Sequence, residues 1–503
     1  MIDNTWLPLL VVASSFVPGL VIFALAESRH RLRTGLNLFG AVAKLALIGW
    51  MLWGVVNERE YVFTHTVLPG LDLVLKADAM AMLFITLSAV LWLFTTLYAI
   101  GYLEGSPHRS RFFGFFSLCV TATVGVAMAG NLFTFFIFYE LLTLSTYPLV
   151  VHRGTEQALR AGHVYLGYTL AGGAVLLLGT IWLYGIAGQV DFVPGGSLGG
   201  VGPEYAGQLQ IAFLLLIVGL GVKAALVPLH GWLPQAMVAP APVSSLLHAV
   251  AVVKAGAFGI VRVVYEVYGV EFAQSLTLLV PLAVAASITI IWGSLRAVFQ
   301  NDLKKRLAYS TVSQVSYIVL GTALFGPIGT IGGIVHLVHQ GIMKITLFFC
   351  AGNLAETLGI HKVTELDGVG RRMPWTAAAF STAGLGMIGV PPLAGFISKW
   401  YLGLGAIAAG MPWVLAVLAI SSLLNAAYFL PILYRMWFKP AARDWPDEHI
   451  PQRGRWETAP LLLIPPVVTA TATLLVGLFA ASALSPLDWA KLIAAREYLT
   501  GAP

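Results

Sequence analysis

Long apolar segments follow one another along the whole chain, separated by short polar loops. Each segment is close to the roughly 20 residues that a helix needs to cross the hydrocarbon core of a membrane. None shows the alternating pattern of about ten residues that marks a membrane β-barrel strand. The pattern therefore predicts an all-α polytopic membrane protein with about fourteen transmembrane helices, near 5–26, 35–55, 79–101, 112–129, 131–151, 162–187, 209–227, 242–266, 275–297, 305–323, 327–350, 374–404, 411–434 and 459–482.

Composition supports this fold class and excludes several partners. Hydrophobic residues make up 58% of the chain and charged residues 10%, far below the roughly 25% charged residues of soluble domains. The net charge of +6 is spread over many loops without an aromatic basic patch, so the lipid bilayer, and not nucleic acid, is the expected partner. Cys119 and Cys350 both fall inside apolar runs, which indicates buried thiols rather than a disulfide or a metal site. No strand-led glycine motif or clustered cysteines occur, and we expect no metal and no cofactor.

The charges of the loops predict the orientation of the chain in a cell inner membrane. Lysines and arginines collect in cytoplasmic loops, and alternate loops of this chain are rich in them. The positively charged side carries Arg29, Arg31, Arg33, Arg109, Arg111, Arg153, Arg160, Arg296, Lys304, Lys305, Arg306, Lys362, Arg371, Arg372, Arg435, Lys439, Arg443, Arg453 and Arg455; the other carries Arg59, Lys76, Arg262, Lys491 and Arg496. Both termini are then predicted to be extracytoplasmic.

Apart from the charges counted with the loops and at the span ends, six charged residues lie inside predicted spans. They are Lys44, Lys223, Lys254, Lys344, Lys399 and Glu140. Each charged side chain at the centre of a membrane helix costs about 2.5–3.5 kcal/mol on insertion scales. Such residues must face the interior of the helix bundle, pair with one another or contact water, and they mark a pathway for ions or protons.

Two of these lysines stand beside predicted helix breaks. Lys223 ends the stretch Gly219-Leu220-Gly221-Val222-Lys223 and stands five residues before Pro228. Lys399 follows Gly384-Leu385-Gly386 and Pro391-Pro392. Proline removes a backbone donor and clashes with the preceding turn, so both helices should be interrupted. Matching interrupted segments in two halves of a chain are typical of inverted-repeat transporters.

Lysine is suited to proton transfer because burial lowers its pKa, so that a nearby charge can switch it between protonated and neutral forms. Glu140 is the one acidic residue well inside a predicted span and is the natural partner of Lys223. We expect His248, six residues before Lys254, to continue this row of titratable groups.

A further group of polar residues shares one predicted helix. His336, Gln340 and Lys344 are spaced by four residues and lie on one face of an α-helix, whereas His339 points about 60° away from His336. Histidines that share the membrane interior with lysines favour a proton relay. Gln340 can hydrogen-bond water but cannot carry a proton, so His336 and Lys344 are expected to matter more than His339.

At these residues the sequence resembles the antiporter-like membrane subunits shared by respiratory complex I and the Mrp-type sodium/proton antiporters. The resemblance is carried by Val222-Lys223-Ala224-Ala225-Leu226-Val227-Pro228-Leu229-His230-Gly231-Trp232-Leu233-Pro234 and by Gln300-Asn301-Asp302-Leu303-Lys304-Lys305. It implies a fourteen-helix core with two inverted five-helix repeats. It also implies that Glu140 and Lys223 form a coupling pair, that Lys254 and His248 continue the row, and that Lys399 ends it. His230 falls within the same motif and is a further candidate, with His339 and Gln340.

The resemblance divides the chain into four parts. These are N-terminal helices over 1–111, a first repeat over 112–268, a second over 269–437, and a C-terminal loop with a last helix over 438–503. Lys399 in place of the glutamate of one complex I subunit, and the lack of a long lateral helix after the last span, favour a protein like the D subunit of the Mrp antiporters. One departure is that the family usually has histidine where this chain has Gln340, with His339 displaced by one position.

Three functions remain open from the sequence. The first is a proton-translocating subunit of a multisubunit antiporter that exchanges Na+ or another monovalent cation for H+. The second is a proton-channel subunit of a complex I-like NADH-quinone oxidoreductase, a membrane-bound hydrogenase or an inorganic-carbon uptake complex. In either case the partners are other membrane subunits, and the chain is not catalytic alone. An integral membrane enzyme is disfavoured, because such an enzyme places its reactive charges at a membrane face.

Overall fold

The computed structural model describes residues 4–57, 59–441, 445–449 and 456–499. The predicted loop charges Arg443, Arg453 and Arg455 lie outside these residues. The described α-helices are α1 (Leu7–Phe23), α2 (His30–Val56), α3 (Ala79–Tyr102), α4 (Arg109–Met128), α5 (Leu132–Val150), α6 (Glu156–Ala187), α7 (Ala206–Lys223), α8 (Trp232–Gln235), α9 (Ala241–Ala249), α10 (Val252–Arg262), α11 (Val270–Ser275), α12 (Leu279–Val298), α13 (Leu303–Ala323), α14 (Pro327–Leu358), α15 (Val369–Arg372), α16 (Pro374–Ile388), α17 (Ala394–Ala408), α18 (Trp413–Phe438), α19 (Pro460–Leu478) and α20 (Pro486–Leu499). Short 3-10 turns cover Asn4–Trp6, Pro203–Tyr205, Ala236–Val238 and Val363–Glu365, and a π-helical turn covers Val263–Tyr268.

The number of membrane crossings agrees with the sequence. Within the described residues, eleven helical segments are long and apolar enough to cross a membrane. The shorter apolar helix α1, the polar but buried helix α13 of 21 residues, and the interrupted pair α16–α17 bring the number of crossings to fourteen. The predicted polytopic helical fold is confirmed.

Both helix breaks predicted from proline are present. Helix α7 ends at Lys223, five residues before Pro228, and α16 ends at Ile388, three residues before Pro391. Gly389 adopts a φ of 98°, which only glycine takes without strain, and α17 begins beyond the prolines at Ala394. Broken backbone of this kind is tolerated at membrane depth only inside the protein or beside water.

A third break was not predicted. The expected span over 242–266 consists of α9 and α10, separated at Val250 and Ala251. No proline stands at this break. It places His248 and Lys254 on two different helical pieces.

A two-stranded β-hairpin interrupts the otherwise helical fold. Strands β1 (Val62–Leu68) and β2 (Leu71–Lys76) pair antiparallel, with Val62 opposite Lys76. The backbone N–H of Val74 donates to Thr134 Oγ1 at 2.8 Å, which fixes β2 against the start of α5. The sequence prediction named no strand here, and the β-branched residues of β1 account for the difference.

The loops gather on two faces. On the hairpin face, defined here by β1–β2, residues 189–202 and α11, the N–H of Phe192 donates to Gly130 O at 2.8 Å and that of Val193 to Glu266 O at 3.2 Å. On the basic face, defined by residues 299–302, 359–372 and 435–441, the N–H of Val363 donates to Asn301 O at 2.8 Å and that of Gly368 to Arg435 O at 2.9 Å. Loops that the charge pattern assigned to one side therefore contact each other.

The centre of the bundle is formed by α14 and by the broken pair α9–α10, because the most apolar stretch of each is completely buried. Helices α6 and α14 have 32 residues each, and each is followed by a broken helix. The division of the chain at 111, 268 and 437 remains a prediction. After α19 the chain forms a further helix, α20, which the sequence prediction did not include.

Candidate functional site

Lys223 is the last residue of α7 and is completely buried at the break of that helix. Its ammonium group donates to the backbone oxygen of Tyr139 and lies 3.3 Å from the centre of the Tyr139 ring. The neighbouring backbone is also fixed, because Trp232 Nε1 donates to Val222 O at 2.7 Å and Tyr139 Oη to Gly219 O at 3.2 Å. The break therefore holds this lysine in a defined place.

Glu140, next to Tyr139 on α5, is half-buried and lies close enough to Lys223 for their charges to interact. The two form no ion pair within 4 Å, and Glu140 Oε1 has no hydrogen-bond partner among the described residues. A Cβ atom at Gly173 on α6 would collide with the Glu140 carboxyl group. Glycine at 173 thus provides the room in which this carboxyl group stands.

Lys254 connects α10 to α14. It is fully buried on α10, and its ammonium group donates to the backbone oxygen of Leu337 on α14 at 2.8 Å. Its charge acts on His336, one residue before that oxygen acceptor.

His336 joins α14 to α17. Its Nδ1 lies 2.8 Å from the hydroxyl of Ser398, and its ring centre lies 5.2 Å from that of Tyr317. Its Nε2 has no partner among the described residues. The charges of Lys254 and Lys399 both reach this ring, so His336 stands between the two lysines.

Lys344 heads a chain of direct hydrogen bonds. It donates to Ser310 Oγ at 2.6 Å and to Leu307 O at 3.2 Å on α13. Ser310 Oγ lies 2.8 Å from Tyr428 Oη, which in turn donates to Asn425 Oδ1 at 2.5 Å on α18. A lysine and three polar side chains are thus linked across α14, α13 and α18.

The same chain reaches the last lysine. Asn425 Nδ2 donates to Met387 O at 3.2 Å, and Lys399 donates to the same oxygen at 3.2 Å. Lys399 also donates to Ile388 O at 2.7 Å and to Ser422 Oγ at 2.9 Å. The carbonyl groups set free where α16 ends therefore hold this half-buried lysine at the second break, whereas Lys223 at the first break donates to Tyr139 O on α5.

Several further polar groups lie in the same interior without protein partners. Both ring nitrogens of His248 and His339, and both amide atoms of Gln340 and Gln314, are buried and have no hydrogen-bond partner among the described residues. His248 stacks on Phe348 at 4.4 Å and lies within reach of the charge of Lys344. Buried polar atoms rarely remain unbonded, and water is the usual partner.

His230 lies apart from these groups. It is half-buried in the segment after α7, and its Nε2 accepts from Trp292 Nε1 at 3.3 Å. Lys44 is also separate: it is fully buried, donates to Val11 O at 2.7 Å and lies 5.6 Å from the Trp92 ring.

The structure adds residues that the sequence reasoning missed. Ser310, Asn425 and Tyr428 link Lys344 to Lys399, and Ser422 binds Lys399 directly. These residues carry only a weak signal in the sequence, since serine and tyrosine are common in membrane helices. Asn425 and Tyr428, three residues apart in an apolar span, share one helix face and could have been noticed.

Arg262 was counted among the loop charges, and the structure shows this to be wrong for Arg262 and for the nearby Glu266. Both are buried, Arg262 at the end of α10 and Glu266 in the π-helical turn that continues it. The apolar run ends at these charges, and charges in that position are typical of residues at the membrane surface. For this reason the sequence did not indicate that they are buried.

Fold and site together define a polytopic helical membrane protein with a row of buried titratable residues running from α5 through α7, α10 and α14 to α17. Residues 129–425 match the family described as NADH:quinone oxidoreductase/Mrp antiporter, TM. The chain belongs to that family, and the resemblance stated from the sequence is confirmed.

Similar proteins include subunits of NADH-quinone oxidoreductases and subunits of Na(+)/H(+) antiporters. The N subunit of the NADH-quinone oxidoreductase of Desulforudis audaxviator is 36% identical over 82% of this chain and 82% of its own length. The D subunit of the Na(+)/H(+) antiporter of Alkalihalophilus pseudofirmus is 26% identical over 94% of this chain and 93% of its own length. A chain in the structure of the Mrp complex from Dietzia sp. superimposes with a TM-score of 0.87 and 25% identity, covering 100% of this chain and 98% of that one.

Proposed function

We propose that this protein is the proton-translocating subunit of an Mrp-type multisubunit antiporter that exchanges H+ for Na+ or another monovalent cation. The observation that carries the proposal is the buried row of titratable groups, anchored by a lysine at each of two helix breaks. The near-complete match in length to the D subunit of a Na(+)/H(+) antiporter and to a chain of an Mrp complex supports it. Other membrane subunits are the partners, and they bury helix faces that this chain leaves exposed.

The Glu140–Lys223 pair is the coupling element of the proposed mechanism. An approaching carboxylate favours the protonated lysine, and a receding one favours release of its proton, because a buried ammonium depends on nearby charge. Glu140 is not fixed by a hydrogen bond at Oε1 from any described residue, whereas Lys223 is held at the break. Movement of the Glu140 side chain therefore changes the proton affinity of Lys223.

Protons released from Lys223 would move along the row through Lys254 and His336. From there, one branch leads to Lys399 through the charge interaction with His336. A second connection runs from Lys344 through Ser310 to Tyr428, and Asn425 positions the Tyr428 hydroxyl without carrying a proton itself. Gln340 and His339, whose polar atoms have no partner among the described residues, contribute sites for water.

A second candidate is a proton-channel subunit of a complex I-like NADH-quinone oxidoreductase. The 36% identity to the N subunit of such an enzyme over most of both chains favours it. In that case electron transfer in partner subunits drives the same row of residues.

The two candidates differ in what drives proton movement. The native complex, purified with its partners and placed in liposomes, should move protons in response to a pulse of Na+ without any electron donor. Proton movement that responds to NADH and quinone, and not to any monovalent cation, would replace the antiporter proposal with the second candidate.

The hydroxyl of Tyr428 should contribute to transport. Tyr428→Phe keeps the ring but removes the link between Ser310 and Asn425, and we expect about tenfold slower proton movement, since water replaces a hydroxyl only in part. Tyr434→Phe on the same helix is the matched control, because Tyr434 is 55% exposed on the bundle surface. Equal rates for the two variants in the liposome assay would remove Tyr428 from the pathway.

We also propose that the basic face is cytoplasmic and the hairpin face extracytoplasmic, in an inner membrane, with both termini on the hairpin side. The charge difference between the loops supports this orientation. A cysteine at Glu204 should react with an impermeant thiol reagent in intact cells, and one at Lys362 should not. The reverse labelling pattern would invert the orientation.

A further inference from the structure

A second group of buried charges lies near the hairpin face, away from the row described above. Arg262 is completely buried and donates to both carboxyl oxygens of Asp78, at 2.8 and 3.0 Å, and to Ala127 O at 3.2 Å. It also pairs with Glu266 in the π-helical turn. The Nε–H of Arg262 has no partner among the described residues. A π-helical turn is rare and is found mostly at functional sites.

Helix α20 adds a third carboxyl group to this cluster. Glu497 is 5% exposed, accepts from the backbone N–H of Gly195 at 3.4 Å, and interacts electrostatically with Glu266, Arg262 and Asp78. Lys76 is half-buried, donates to Phe192 O at 3.3 Å, and its charge acts on Asp78 and Glu266.

The charges of this cluster do not balance. Among the residues that the structure describes, three carboxyl groups, of Asp78, Glu266 and Glu497, face two cations, Arg262 and Lys76. A buried charge without a partner costs several kcal/mol, and the usual outcome is that an acid keeps its proton instead. One proton should therefore be bound within the cluster.

The contacts indicate which groups hold that proton. Asp78 is fixed by two hydrogen bonds from Arg262, whereas Glu497 has a single amide donor among the described residues. Burial, followed by the charge of Glu266, raises the pKa of Glu497 to about 8. The proton belongs to the pair of Glu266 and Glu497.

Hydroxyl groups of the residues beside this pair contact the central helix. Tyr498, next to Glu497, lies 3.1 Å from Thr330 Oγ1 on α14, and Tyr265, next to Glu266, lies 2.8 Å from the same atom. Thr330 stands six residues before His336 on the same unbroken helix, a rise of about 9 Å. The hydroxyls thus extend from the cluster toward the row of titratable groups.

We propose that Glu266 and Glu497 form a proton-binding site that exchanges protons between the central row and the hairpin face, with α20 as its cover. Glu497 releases its proton as H+ to water at the hairpin face and becomes a carboxylate; Glu266 stays ionised beside Arg262. Rebinding of one proton restores the neutral acid. The transport role rests on the proposed function, whereas the binding of the proton does not.

Infrared difference spectroscopy of the purified complex tests the bound proton directly. At neutral pH the wild-type complex should show a carboxylic-acid carbonyl band that disappears in both Glu266→Gln and Glu497→Gln, because the carboxyl group that remains is then balanced by the cations. The band should also fade as pH rises through about 8. Glu271→Gln, an exposed acid on the same face, is the control and should leave the band unchanged.

Glu497→Asp provides a further check should removal of a buried carboxyl group prevent assembly. This variant keeps the acid on a shorter side chain, and its band should persist at a shifted frequency. A spectrum in which neither Glu497→Gln nor Glu497→Asp alters any carboxylic-acid band would overturn the proposal.

Transport measurements separate this site from the proposed function. Glu497→Gln should slow proton movement about 100-fold, whereas Lys223→Ala should stop it and leave the infrared band intact. Loss of the band in Glu497→Gln together with normal transport in Lys223→Ala would reject the proposed function and keep the bound proton. An unchanged band with a transport-inactive Lys223→Ala would reject the proton site alone.

The folded state binds this proton between the usual pKa of a glutamate and the raised value of about 8, and the unfolded chain does not. Stability should therefore fall as pH rises through this interval. A melting temperature that decreases toward pH 8 in the wild-type complex, but less in Glu497→Gln, would support the site; an identical pH dependence in both would contradict it.

Discussion

Lys223→Ala should abolish cation-dependent proton movement while the complex still assembles with its partners. Among the described residues, Lys223 is the only titratable side chain that both lies at the first break and interacts with the charge of Glu140. Alanine cannot bind a proton, and it removes the ammonium group from the backbone oxygen of Tyr139. The expected rate is that of empty liposomes, measured with a pH-sensitive dye trapped inside the vesicles.

Lys44→Ala is the matched control for this result. Lys44 is equally buried and also donates to a backbone oxygen, but no charged group in the described part of the chain acts on it. Its loss should affect stability more than transport. Wild-type exchange in an assembled Lys223→Ala complex would exclude Lys223 from the mechanism.

Glu140→Gln should produce the second large loss. Glutamine has the same size and fits beside Gly173, but it carries no charge to shift the proton affinity of Lys223. Proton movement should fall about 100-fold or more, the range expected for loss of a positioned proton-transfer group. Glu140→Asp keeps the charge with a shorter reach and should retain partial activity.

The control for Glu140 is Glu156→Gln, which removes an exposed carboxyl group that pairs with Arg160 at the start of α6. It should transport as the wild type does, since exposed ion pairs contribute little. Full activity in Glu140→Gln would show that the charge of this residue is not the coupling element.

The membrane fold could be predicted from the sequence because long apolar segments are recognised along the chain without knowledge of any tertiary contact. The breaks near Pro228 and Pro391 followed from the missing backbone donor of proline. The break at Val250 and Ala251 could not be foreseen in this way, because no proline stands there. The hairpin was missed because its strands are short and lie between two long helices.

Some of the buried charges could also be recognised from the sequence, whereas their functional roles stay predictions. Charges in the middle of apolar runs, such as Lys254 and Lys344, could be recognised without any structure. Their partners could not, because Ser310 and Tyr428 become relay candidates only when three helices bring them together. Arg262 was placed in a loop because sequence alone does not show that Asp78, 184 positions away, neutralises it inside the protein.

The structure shows the surroundings of Gln340, which stands where the resemblance led us to expect a histidine. Gln340 and His339 are both buried, with polar atoms that no described residue contacts by a hydrogen bond, whereas Lys344 has a direct hydrogen-bonded route toward Lys399 through α13 and α18. A glutamine at 340 therefore does not interrupt the connections of Lys344. The roles of His336 and His339 in transport stay predictions.

Lys254→Met tests most directly whether one row of buried groups carries protons across the bundle, as we propose. Lys254 links α10 to α14 between the two broken helices, while Glu140, Lys223 and Lys399 remain intact in this variant. Methionine keeps the apolar stem but cannot bind a proton. Proton flux into liposomes that contain the purified Lys254→Met complex should fall to the level of Lys223→Ala. Flux equal to that of the wild-type complex, with all partners present, would contradict this proposal.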